Sequence, residues 1–490
     1  MQNYTCLPNK HSLSFVYFDG HSYLYCMLYA DISNNIARLI REQVLKPGDR
    51  LPSVRLLCQE HGISMNTAKR VFLELEAQSL IESKPQSGYF VSQLPYQRLP
   101  LPEVSQPSPV SQDNEPEALI SKLYATRGKP GLTHFSMGVP CTEMLPVAKL
   151  NKEIVLATRR LAASGTDYEP VPGNDNLRRM IAARSLTWGG NLNESDIITT
   201  TGGINALAFC MMALSKPGDT IAMESPCYPG SLQLARSLGL KVLELPTHPV
   251  TGVEIDALKK AVKKIDLCLL VPNFNTPLGS CMPEENKKAV VALLAKHGIP
   301  LIEDDIYGDL YFGAQRPKCC KAFDEEDNVL LCSSFSKTIA PGYRVGWVVP
   351  GKYKDKILKL KLVHMLSAPT LVHEAVAAFL KNGRYDSHLR KLRSALQQNY
   401  LHYIDAIEAW FPPGTRVSRP QGGIAIWVEL HKKVNTTAIF DTVLKNKITI
   451  APGRMFTLQD QFENCFRLSL GVLFSEEVDQ KFKLLGKLLT

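Results

Sequence analysis

Apolar residues early in the chain recur at helical spacing and then give way to strand-like alternation. Ile32, Ile36, Leu39, Ile40 and Val44 share one face of a 3.6-residue period, which predicts an amphipathic helix over residues 31–45. Lys46-Pro47-Gly48-Asp49 ends it. Ser53 is placed to cap a second helix carrying Val54, Leu56 and Leu57. His61-Gly62 makes a tight turn. Ser64 then caps a third helix with Ala68, Val71, Phe72 and Leu75 inside and Asn66, Lys69, Arg70 and Leu73 outside. Strands at 80–84 and 89–93 follow, joined by Pro85-Gln86-Ser87-Gly88.

Three helices with a glycine turn before the third, then a hairpin, make a winged helix-turn-helix pattern: mainly α, with a β wing. Asn66, Thr67, Lys69 and Arg70 have the polarity that a recognition helix presents to base edges and phosphates. Periodicity alone leaves a small helical docking module with a solvated face equally open.

Beyond residue 130 strand and helix patterns alternate. Strands are expected at 197–201, 220–223, 241–245, 266–271, 301–304 and 329–333, with helices at 204–214, 254–264 and 283–297. That rhythm predicts an α/β unit with a mostly parallel sheet. Long helices at 354–380 and 386–411 and strands at 424–430 and 465–470 predict a smaller C-terminal α+β lobe.

Between the two regions, residues 92–117 carry six prolines and little apolar periodicity, as an extended, semi-rigid connection would. The expected organisation is an N-terminal extension (1–27), a winged helix (28–94), a Pro-rich linker (95–130) and a large unit (131–490).

Composition narrows the classes. Of 490 residues, 45% are hydrophobic and 21% charged, which excludes a disordered, collagenous or coiled-coil chain. No run reaches the ~18–20 apolar residues of a membrane span. The first thirty residues lack a basic start leading into an apolar core, so no signal peptide is expected. The twelve cysteines show no C-x-x-C pair, and the eleven histidines no H-E-x-x-H. Reduced thiols in a cytoplasmic protein without a metal site are therefore expected. The net charge of +9 says little about nucleic acid, because residues 1–92 hold nine basic and eight acidic residues.

Candidate chemistry falls at strand ends, where open α/β sheets bind ligands. Thr201-Gly202-Gly203-Ile204-Asn205 opens a helix with free backbone N–H groups, which suits a phosphate. Carboxylates in Glu303-Asp304-Asp305 end an apolar strand, where they could bind a metal, cap a helix or pair with a ring nitrogen. Ser333-Ser334-Phe335-Ser336-Lys337 sets one lysine among hydroxyls, with Arg344 seven residues on, as a phosphorylated cofactor bound through an amine would require.

Two resemblances rest on these residues. Leu51-Pro52-Ser53-Val54-Arg55, Gly62-Ile63-Ser64 with Thr67, and Ser87-Gly88 with Val91 resemble the GntR-type DNA-binding domain. That resemblance implies that Arg55, Ser64, Asn66, Thr67, Lys69 and Arg70 meet DNA and that Gly88 lets the wing enter the minor groove. The motifs of the large unit, in order from Tyr168 to Ser469, resemble the fold type I aminotransferases, which use pyridoxal 5′-phosphate (PLP).

By that resemblance Lys337 holds the cofactor covalently and shuttles a proton, Asp304 pairs with its ring nitrogen, Tyr307 bonds its ring hydroxyl, and Tyr228 stacks on the ring. Gly203, Ile204, Ser334, Ser336 and Arg344 hold the phosphate, with Tyr168 reaching that of a partner subunit in a homodimer. Arg467 clamps a carboxylate. One departure stands out: Thr276, beside Asn275, occupies a position that is commonly asparagine in the family, which bears on tuning of the Lys337 bond. Joined, the halves resemble the MocR-type regulators, which implies a transcriptional regulator that binds double-stranded DNA and senses an amino acid or amine. A working aminotransferase would carry the same residues.

Overall fold

The computed structural model describes residues 20–41, 44–46, 48–77, 80–84, 87–92, 99–109, 117–313 and 315–489. The expected extension lies outside these residues as far as position 19, as do Pro85 and Gln86 of the wing turn and linker residues 93–98 and 110–116. The chain divides into two compact units, Met1–Leu94 and Pro95–Thr490.

The small unit holds α1 (Gly20–Arg41), α2 (Val54–His61), α3 (Met65–Ala77) and an antiparallel hairpin of β1 (Ile81–Lys84) and β2 (Gly88–Val91). Helix α1 is described from Gly20 to Arg41, starting well before the expected position 31, and Val44 is exposed rather than buried. Ser53 caps α2 by accepting a bond from the Leu56 N–H, and Gly62 closes it in the left-handed region (φ 61°). Ser64 Oγ accepts the Thr67 N–H at 3.1 Å at the start of α3. Ala68, Val71, Phe72 and Leu75 are fully buried against Ile32, Ile36, Ile40, Leu57 and Val91. Phe72 stacks on Tyr89 of the wing, which locks hairpin to helix.

In the large unit eight strands form one sheet: β3 (Ile198–Thr200), β4 (Thr220–Ser225), β5 (Lys241–His248), β6 (Gly252–Val253), β7 (Leu267–Leu270), β8 (Leu301–Asp304), β9 (Val329–Ser334) and β10 (Gly346–Val349). Their order is β3-β10-β9-β8-β7-β4-β5-β6. Strand β10 runs antiparallel to both of its neighbours and β6 antiparallel to β5; the other pairs are parallel. The strands are apolar on both faces because helices cover both sides. The C-terminal lobe is built on a four-stranded sheet containing Ala425–Glu429 and Cys465–Ser469.

Two sequence expectations change. The helix expected over 354–380 is two helices, Lys354–His364 and Thr370–Lys381. Pro369 bars its predecessor from helical geometry and breaks the run. Residues 99–109 of the Pro-rich segment, expected as an extended connection, are bonded to the large unit. Their main chain accepts from Val417 N at Pro100 O, and Glu103 N donates to Glu429 Oε2. The buried Ser105 hydroxyl bonds Ser225 O and receives the Thr247 N–H. Residues 117–124, composed like a linker, form helix α4 (Glu117–Tyr124), whose Ile120 and Leu123 pack on Leu278, Trp427 and Phe456.

Candidate ligand site and DNA-facing surface

Five segments leave the C-terminal ends of five strands on one edge of the sheet: Gly202-Gly203 after β3, Tyr228 after β4, Asn275-Thr276 after β7, Asp304 to Tyr307 at β8, and Ser334 to Lys337 at β9. The topology therefore gathers residues spread over more than a hundred positions. Arg467 arrives from the C-terminal lobe on strand Cys465–Ser469.

Lys337 Nζ donates to Gly138 O at 2.7 Å and lies 5.7 Å from the Tyr307 ring centre. Removal from water and the nearby Arg467 bring its pKa down to about 7, against the pull of Asp304. Asp304 accepts the Ile306 N–H at 3.2 Å. Burial first, and then the charge of Asp305, raise its carboxyl to about 7, against the pull of Lys337. Burial pushes the Tyr307 phenol up to about 12. The Tyr228 phenol is driven up by burial and by neighbouring Tyr124.

Arg467 is buried, rests 5.3 Å from the Phe456 ring centre, and donates from Nη2 to Ser136 O. Burial lowers its pKa, against the electrostatic pull of the phenols of Tyr307, Tyr124 and Tyr228. Among the described residues its Nε finds no hydrogen-bond partner and no carboxylate pairs with it. A buried guanidinium without an anion is expensive unless a ligand supplies one.

The opposite end is anion-friendly. Gly203 opens the twelve-residue helix α5 (Gly203–Leu214), and the helix dipole adds to its free N–H groups. Arg344 donates to Ser336 Oγ at 3.2 Å and to Thr201 O at 3.1 Å. Gly202 sits at φ +93°, and a Cβ there would stand 2.2 Å from the Arg344 guanidinium, so glycine makes this approach possible. Ser334 Oγ accepts the Ser336 N–H, and Ile204 stands half out in solvent. Buried donors at Asn275 Nδ2 and Thr276 Oγ1 make no well-formed hydrogen bond among the described residues. A planar group with an acceptor at its ring, an anion at one end and a second anion at Arg467 fits this set.

Tyr168 is 80% exposed and stands outside this cluster. Its neighbour Glu169 is buried and held by His373 Nδ1 at 3.0 Å, so an exposed aromatic rises from a fixed base. The sequence reading missed three groups. Glu224, near the end of β4, is fully buried; desolvation raises it to about 8, against the bond it accepts from Val271 N–H at 2.7 Å. A charged residue in an apolar strand was the available signal. Tyr124 and Arg127, which act electrostatically on Arg467 and Lys337, were hidden in the stretch read as a linker.

On the small unit Arg55, Asn66, Lys69 and Arg70 are exposed. Arg70 also covers the Tyr29 ring at 4.1 Å. Thr67 corrects the sequence reading: it is buried, and its hydroxyl meets Ser64 Oγ at 2.8 Å, so it completes the cap rather than facing outward. Gly88 opens β2 at φ +103°, a backbone shape that side chains disfavour.

Comparison with known proteins defines the class. The family described as aminotransferase class I and II matches residues 130–482, and the gntR family of bacterial regulatory proteins matches residues 28–91. The uncharacterized HTH-type transcriptional regulator YjiR of Escherichia coli K12 is 36% identical over 94% of this chain and 98% of its own length. YdcR of the same strain, similarly described, is 33% identical over 94% and 98%. Among solved structures, the α-aminoadipate aminotransferase LysN of Thermus thermophilus, complexed with N-(5′-phosphopyridoxyl)-L-leucine, superposes with a TM-score of 0.70 at 27% identity, covering 76% of this chain and 94% of that one. The chain belongs to the class I and II aminotransferase family and carries a GntR-type DNA-binding domain before it. It has the architecture of a DNA-binding transcriptional regulator with an aminotransferase-type domain, and the cofactor of that domain is PLP.

Proposed function

We propose that this regulator senses an amino acid bound through its carboxylate at Arg467. The single observation that carries this reading is the buried guanidinium of Arg467, unpaired with any described carboxylate and acted on only by phenols among acidic groups. Planar bidentate pairing with a carboxylate supplies the missing charge.

The other residues have roles in keeping with the fit. When bound, PLP supplies an electron sink for the carbon that bears the amine. Lys337 Nζ holds the cofactor; when free, its amine, brought down to about 7 by burial, takes up and returns a proton near neutrality. Asp304 pairs with the ring nitrogen, Tyr307, Thr276 and Asn275 serve the ring hydroxyl, and Tyr228 covers the ring. Gly203 and Ile204, through their backbone, with Ser334, Ser336 and Arg344, hold the phosphate. Tyr168, exposed on a fixed loop, reaches the second subunit of a homodimer. Arg55, Asn66, Lys69 and Arg70 face an operator, with Ser64 and Gly88 shaping helix and wing. A cytoplasmic site of action follows from the DNA partner.

The test is a spectral titration of PLP-loaded protein with acidic, basic, aromatic and small L-amino acids, with and without 2-oxoglutarate. A sensor gives a spectral change that saturates without accumulation of a new 2-oxo acid. Steady formation of that product assigns aminotransferase turnover instead.

A further inference from the structure

Behind the ligand site a buried polar chain joins elements that the site residues do not themselves join. Asp305 follows Asp304 but points to the other face of β8. Its Oδ1 accepts from Asn273 Nδ2 at 2.8 Å and its Oδ2 from Arg316 Nη2. Arg316, 8% exposed although it comes from a loop, also donates through Nε to Asp309 Oδ1 at 2.7 Å. The other oxygen of Asp309 accepts the Tyr385 hydroxyl at 2.8 Å. The Thr338 hydroxyl lies 3.0 Å from the same phenol oxygen, and His388 Nε2 lies 2.6 Å from Thr338 O.

The chain touches the neighbour of each central site residue. Asp305 adjoins Asp304, Thr338 adjoins Lys337, and Asn273 lies two residues before Asn275. Packing is tight at Gly308. A Cβ at Gly308 would stand 2.5 Å from an Asp305 oxygen and 2.7 Å from Arg316. Charge is matched as well. Asp305 and Asp309 face Arg316, Arg184 approaches Asp309 at 3.8 Å, and Lys287 reaches Asp305 through Asn273 Oδ1 at 2.6 Å. The remaining ionisable neighbours of Asp305 are Glu303, Cys281, Cys319 and Cys320. Those of Asp304 are Lys337, Glu224, Tyr307 and Cys332. Lys337 faces Arg467, Arg127 and Arg344 besides Asp304.

We propose that Arg316, Asp305, Asp309 and Tyr385 are positioning residues, a hydrogen-bonded chain that fixes Asp304 and Lys337 relative to one another and offsets the carboxylate next to Asp304. This rests on the reading of Lys337 and Asp304 as cofactor contacts. A site of this kind has to be held within about 0.5 Å by groups behind it. Arg316 also governs charge: without it only Lys287, acting through Asn273, opposes Asp305 beside Asp304.

The test uses PLP-loaded full-length protein. Tyr385→Phe and Thr338→Val each remove one hydroxyl and keep the shape. Each is expected to speed PLP release about tenfold, with the double variant no faster than either alone, because both break the same chain. Arg316→Gln is expected to move the pH midpoint of the cofactor's visible band upward by about 1 unit, the size of one buried charge removed several ångströms away. Arg316→Lys should return most of that shift. Where Arg316→Gln does not fold, the Tyr385 and Thr338 pair decides alone. Unchanged release in both single variants, or strictly additive effects, would overturn the proposal. A wild-type protein that binds PLP without using Lys337 would instead sink the site reading on which the proposal rests.

Discussion

Asn66, Lys69 and Arg70 stand in water on the outer face of α3, whereas Lys337, Asp304 and Arg467 are drawn out of it. Both regions wait for a charged partner. The surface groups keep their hydration until DNA arrives, so each adds a modest, salt-screened increment. The pocket groups have already lost theirs, so their ionisation is displaced and each is poised for one chemical partner. Changes in the pocket should therefore be large and specific, and changes on α3 smaller and graded.

The largest expected effect is at Lys337. Lys337→Ala should abolish both the visible absorbance of bound PLP and its fixation by borohydride; retention of either would place the covalent bond elsewhere. The same lysine sets a pH dependence in the PLP-free protein. Its pKa falls from 10.5 to about 7 on folding, so between those values the unfolded chain binds the extra proton, and stability rises with pH. Asp304 moves from 3.8 to about 7, so across that range the native state binds the extra proton, and stability falls as pH rises. Together the two contributions are least favourable near pH 7. Lys337→Met should thus stabilise the PLP-free protein by about 1–3 kcal/mol at or below neutrality and by little at pH ~10. Denaturant midpoints across pH measure this.

Next in size is Arg467→Lys, which keeps the charge but loses the planar fork. Amino-acid binding should weaken by roughly 1–3 kcal/mol with PLP binding nearly unchanged. Equal affinity would mean that the ligand presents no carboxylate there. On α3, Asn66→Ala should cost ~1–3 kcal/mol on the operator and nothing on random DNA. Lys69→Ala should weaken all sequences alike and lower the salt slope by about 1. If these two variants lose equally on random DNA, α3 does not read sequence.

The same contrast explains what the chain revealed before folding. Caps announce themselves locally, so Ser53, Gly62 and Ser64 were legible, as were the glycine pair and the Ser-x-Ser-Lys run at strand ends. What escaped depends on tertiary context. Strand Gly346–Val349 is short and follows the Arg344 turn with no period of its own. Residues 99–109 read as linker because proline composition says nothing of docking, and their bonds to Val417, Glu429 and Ser225 come from far along the chain. Tyr124 was lost with them. Thr67 was misplaced because its polarity suggests exposure, while its position after Ser64 commits it to the cap.

The most direct test of the central claim is operator affinity of the PLP-loaded protein, measured with and without a saturating amino acid that changes its visible spectrum. Coupling between ligand site and DNA site predicts a shift of about 5-fold or more, abolished in Lys337→Ala. Operator affinity indifferent to every such amino acid, while 2-oxo acid accumulates, would contradict the account and leave an aminotransferase joined to a DNA-binding domain.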